Sequence, residues 1–182
     1  MRAANVLGLI IACLWLGGCL ALGVSAVFLF VLVNPDTNGG LDVNHIQLGE
    51  IFGIMFKLWT YVGLGCLAGI VLTRLVAWAM QMKQRQFGLA QAISVAVLAA
   101  LIVTTLAAAR ATLAAGAAHE AMEKAREPEA EKTALADFNL AHKASRERSN
   151  WMVIALALVI GGLGIGLARR GRDSASAPGE GA

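Results

Sequence analysis

At 182 residues and 58% hydrophobic, with a mean hydropathy of +0.67, the chain is more apolar than a soluble domain of its size, which is nearer half apolar. A formal charge of +3 is modest, and in a membrane chain such an excess reflects orientation and lipid headgroups. With no basic, aromatic-interleaved surface outside the apolar runs, the composition argues against nucleic-acid binding.

The first apolar run extends from Ala3 to Val33 without a formal charge. A bilayer core about 30 Å thick needs roughly 20 helical residues, so this run predicts a span over 6–32. Arg2 and the Leu16-Gly17-Gly18-Cys19 box resemble a lipoprotein signal. The run continues far beyond a signal core of about 7–15 residues, and a retained helix is expected. Asn34-Pro35-Asp36-Thr37-Asn38-Gly39-Gly40 is rich in turn formers and ends it.

A second helix is expected from near Gln47 or Gly49 to about Gln81, with a span over 50–80. It is longer than a perpendicular crossing needs. It must tilt, or its last turns with Arg74 must project into the interface. The third span, 87–110, has no natural stop, because Arg110 to Arg126 is Ala-rich and lacks Pro. Glu120 and Lys124 form an i,i+4 pair in the favourable order. Glu127-Pro128-Glu129 is the break, and helical signal resumes at about Glu131 and runs into a fourth span over 150–168. From Gly171 to Ala182 the composition predicts a disordered tail.

The expected fold is therefore all-α. It is a four-helix transmembrane bundle, residues 1–170, whose third and fourth helices extend beyond the membrane as a helical hairpin over 111–149. Arg2, Lys83, Arg85, Arg169, Arg170 and Arg172 place both termini and the second loop on the cytoplasmic side, since the Asn34–Gln47 loop has no Lys or Arg. The hairpin conflicts with this rule: Arg110, Lys124, Arg126, Lys132, Lys143, Arg146 and Arg148 fall on the opposite side, interleaved with acids.

Glycines four apart let helix backbones approach closely in lipid. Gly49 with Gly53, Gly65 with Gly69, and Gly162 with Gly166 have that spacing, and Gly17 and Gly18 supply a similar surface on the first helix. Their main expected use is packing within the chain. Contacts with a second copy or another membrane protein are the minority reading.

Polar groups inside apolar runs are costly and carry a functional hypothesis by default. Glu50 and Lys57 lie two turns apart on one face. Arg74 and Arg110 lie toward opposite membrane surfaces, where they can snorkel. Phe138, His142, Ser145 and Ser149 recur at steps of four, three and four, so they form one helical stripe just before the fourth span, with Asn150 following. The stripe reads as a hydrogen-bonded joint with a neighbouring helix, or as a ligand, ion or proton site.

Metal and redox chemistry find little support. Cys13, Cys19 and Cys66 sit in apolar runs without a CxxC pair. His119-Glu120-Ala121-Met122-Glu123 lacks the second histidine of a zinc-protease helix. The apolar runs hold no pair of histidines at haem-ligand positions. No cofactor is expected.

Three segments carry a resemblance. They are Leu14-Trp15-Leu16-Gly17-Gly18, Gly49-Glu50-Ile51-Phe52-Gly53-Ile54-Met55-Phe56, and Phe138-Asn139-Leu140-Ala141-His142-Lys143-Ala144-Ser145. In this order, over about residues 5–168, the chain resembles the domain-of-unknown-function 4149 family, related to the eukaryotic transmembrane protein 205 group. The resemblance implies a four-helix membrane fold and no established reaction. The leading expectation is a non-enzymatic structural or accessory component of a bacterial cytoplasmic membrane, with the lipid bilayer as its first partner. A small transport protein using Glu50, Lys57 and His142 is the alternative, and a cofactor-binding membrane redox protein is a third class.

Overall fold

A computed structural model describes residues 2–33, 45–82, 89–125 and 127–175. Among the described residues all regular structure is helical: α1 (Arg2–Val33), α2 (His45–Met82), α3 (Leu89–Lys124) and α4 (Pro128–Ala175). Each contains a stretch long and apolar enough to cross a membrane, within 3–28, 53–80, 89–122 and 129–168. The chain is thus an all-α, multi-pass membrane protein. The turn expected at Asn34–Gly40 and the basic pair Lys83 and Arg85 lie outside the described residues.

Neighbours in sequence are neighbours in space. α1 packs on α2 and α4, α2 on α3, and α3 on α4 most extensively. Among the described residues no Cα of α1 comes within 8 Å of α3, and none of α2 within 8 Å of α4. The result is an up-and-down ring of four helices. Its centre receives one large side chain from each helix: Trp15, Ile70, Leu101 and Leu156 are all fully buried. Outside, Leu14, Val24, Leu58, Leu72, Val103 and Leu158 are exposed, as a lipid-facing surface requires.

Lipid tails are as apolar as leucine, so burial alone cannot hold these helices together. Close fit must do it, and the α1–α2 seam shows how. Trp15 of α1 lies over Gly63 of α2, where an added Cβ would sit 3.1 Å from the indole nitrogen. Trp59 of α2 lies over Gly18 of α1, where an added Cβ would collide with the ring. Ile11 seats against Gly69 and Thr73 against Gly8. The two antiparallel helices therefore exchange large side chains for glycines in both directions along the seam. Trp59 Nε1 also donates to Cys19 Sγ at 3.3 Å.

The α3–α4 seam is built from smaller parts. Ala108, Ala111 and Ala115 of α3 are buried. At the hairpin tip Ala125 N donates to Met122 O at 3.3 Å, tightening the last turn of α3. The Glu127 carbonyl accepts from Glu131 N at 2.9 Å and opens α4. Pro128 then occupies the first helical position, where its missing N–H has no partner to lose. Glu129 and Glu131 fall in the first turn, where the helix dipole favours negative charge. For these reasons α4 starts at Pro128, earlier than the Glu131 expected from sequence.

The far end of α4 corrects the expected tail. Gly171 to Ala175 are helical. Once a helix is running, each added residue gains a hydrogen bond without a new nucleation cost, and the next proline is not met until Pro178. Residues 176–182 lie outside the described residues.

Candidate functional site

The stripe on α4 meets α3. Ser145 and Thr112 share a hydrogen bond between their hydroxyls at 3.0 Å. Phe138 stands between two histidines: His119 of α3 meets it edge-on at 5.4 Å and 87°, and His142 stacks on it at 5.6 Å and 29°. Thr112 opposite Ser145 and His119 opposite Phe138 define one antiparallel register, which sets Ser149 level with Ala108. Ser149 is half-buried, whereas His142 and Asn150 are exposed. Four of the predicted residues thus share one face. Phe138 and Ser145 couple it directly to α3.

Lys57 is exposed on α2, whose Cα atoms come no nearer than 8 Å to those of α4 among the described residues. It is not brought together with His142. The Glu50 side chain lies outside the described residues, although its backbone is helical.

The glycine expectations divide. Gly18 and Gly69 face side chains of the neighbouring helix, as above. Among the described residues a Cβ at Gly17, Gly53, Gly65, Gly162 or Gly166 would meet nothing within 4 Å. The close intrachain approach expected at these positions is therefore not seen among the described residues. Gly49 is helical and nothing further is described of it. Gly8 and Gly63, which belong to none of the expected pairs, are used in the seam instead.

Sequence reasoning missed the most connected polar group. Arg74 of α2 donates from Nη1 to Asn5 Oδ1 of α1 at 3.2 Å. It donates from Nη2 to Ser94 Oγ of α3. Its guanidinium carbon lies 5.7 Å from the centre of the Trp78 ring, a cation–π distance. Asn5 is only 6% exposed, and a buried amide needs such a partner. The signal available in sequence was three polar residues near one membrane surface on three helices, but pairing them needs a register no single helix contains.

Two buried polar atoms have no hydrogen-bond partner among the described residues, Trp78 Nε1 and Thr105 Oγ1. Thr104 and Thr73 instead return their hydroxyls to carbonyls of their own helices. Among the described residues no three His, Cys, Asp or Glu side chains are grouped to hold a metal. Comparison with known proteins finds no matching family, curated protein or solved structure.

Proposed function

We propose that the chain is a non-enzymatic structural or accessory component of a membrane, set in the bacterial cytoplasmic membrane with both termini inside. The observation that carries this reading is the use of the α4 stripe. Its Ser145 bonds to Thr112 and its Phe138 meets His119 edge-on, so these two residues of the stripe serve as a joint between helices. The Arg74 cluster acts in the same way across α1, α2 and α3. The resemblance to the domain-of-unknown-function 4149 family supports the same architecture and supplies no reaction.

Open glycines support a role in assembly. Gly53, Gly65, Gly162 and Gly166 leave unfilled surface that a second copy or another membrane protein can approach. The test is purification from native membranes at native expression, with mass analysis of bound protein, lipid and metal. A stoichiometric protein partner or self-oligomer is expected. A coloured sample with bound metal or cofactor would sink the reading. So would solute flux in liposomes that is abolished by Lys57→Gln or His142→Ala.

A further inference from the structure

The two helices of the hairpin leave a groove between them, about 540 Å³ in volume and open along one side. Ala118 and Ala121 of α3 form one wall, and Ala130 and Ala134 of α4 form the other. Alanine methyls are too short to fill the valley between two helices, so it stays open and apolar. Two acids stand in the same lining, Glu129 and Asp137, both exposed. They are eight residues apart, about 12 Å along α4. Thr133, midway between them, turns its hydroxyl onto the Glu129 carbonyl at 3.0 Å and so donates nothing to the groove. Among the described residues no Lys, Arg or His lines it.

Shape and charge together select the occupant. The two carboxylates are too far apart to hold one ion, and among the described residues no third ligand completes a metal site. A valley between two helices instead takes the ridge of a third, and alanine lets the axes approach to about 8 Å. Lys or Arg seven residues apart on that third helix span about 10.5 Å and reach both carboxylates. A second copy of the chain does not fit. Copies related by an axis along the membrane normal would set Glu129 against Glu129 and Asp137 against Asp137. Residues 34–44, the connection at the hairpin end of the bundle, hold no Lys or Arg to answer the acids. We propose that the groove docks one helix of a partner protein, its small apolar residues on the four alanines and its Lys or Arg on Glu129 and Asp137. This names the docking surface of the accessory component argued above and rests on that reading.

The test is photo-crosslinking of the full chain in native membranes, with a benzophenone amino acid at Ala121 in the groove or at Leu140 outside it. The Ala121 probe should join a polypeptide other than this chain, and the Leu140 probe should not. Mass analysis of the joined peptide should show small apolar residues with Lys or Arg seven or eight apart. Glu129→Lys with Asp137→Lys should lower the Ala121 adduct about tenfold, the scale of two accessible ion pairs turned repulsive. Asp137→Asn, a mild change within the helix, should lower it about threefold and decides the matter where the double variant does not fold. An adduct with a second copy, with lipid alone or with an acidic peptide overturns the proposal. So does no adduct, or one that these substitutions leave unchanged. If a stoichiometric partner still copurifies in those cases, the accessory reading stands and only the groove falls; if none copurifies, both fall.

Discussion

At the scale of single residues, the same amino acid has opposite value at adjacent positions. Gly18 sits under Trp59, whereas Gly17 faces open space. Gly18→Ala should destabilise the chain by about 1–3 kcal/mol, because the indole must shift within a tight seam. Gly17→Ala should be neutral or stabilise slightly, since alanine is the better helix former. Reversible unfolding in mixed micelles distinguishes them, and equal effects would contradict the Trp–Gly seam. The joint between α3 and α4 has its own signature. Thr112→Ala and Ser145→Ala should couple by about 0.5–1.5 kcal/mol in a double-mutant cycle. His142→Ala should weaken the fold by about 0.5–1.5 kcal/mol through its lost stacking on Phe138. Unchanged stability with a lost activity would mark His142 as a working residue instead.

Individual residues also show where sequence reasoning stops. A spacing of four says that Gly162 and Gly166 share a face; it does not say which way the face points. That depends on the rotation of the helix about its axis, and α1 and α2 are apolar on every side, so periodicity does not reveal the rotation. Gly63 carried no pair signal, yet it receives Trp15. Arg74 was legible as a costly charge, while its partners Asn5 and Ser94 were legible only once three helices were in register.

Whole elements were far easier to read. Apolar runs of spanning length need no register, only a solvent that forbids unpaired backbone, and each became a helix. The break at Pro128 followed from one missing N–H. What composition misjudged was the end of α4, where Gly171 and Ser174 resemble coil but continue a helix already formed. The start of α4 offers a test. Glu129→Gln with Glu131→Gln removes both acids of the first turn, and amide exchange over 128–134 should speed up. The effect should fade as salt is added, because these exposed charges act through water. Exchange that is insensitive to both changes would assign the start of α4 to Pro128 and the Glu127 carbonyl alone.

For the whole molecule, the distribution of exposed side chains is itself a depth map. Val103 and Leu158 are exposed within the spans, whereas Leu135 and Leu140 are exposed on the hairpin. Nitroxide labels at the first pair should be reached by oxygen dissolved in lipid, and labels at the second pair by a water-soluble nickel relaxant. A nickel signal at Val103 or Leu158 would place a water-filled path along the bundle and restore the transport reading. Lipid-like accessibility along the hairpin would instead lay it on the membrane.

α4 runs unbroken for 48 residues, about 72 Å. Roughly 35 Å of that rod precedes Trp151, and α3 runs beside it through Lys124. Without a hinge between them, the hairpin and the bundle turn as one lever. Thinning the bilayer tilts long helices, and a tilt of about 5° would carry the hairpin tip through about 3 Å. Membrane thickness is thereby converted into displacement at the tip of the hairpin.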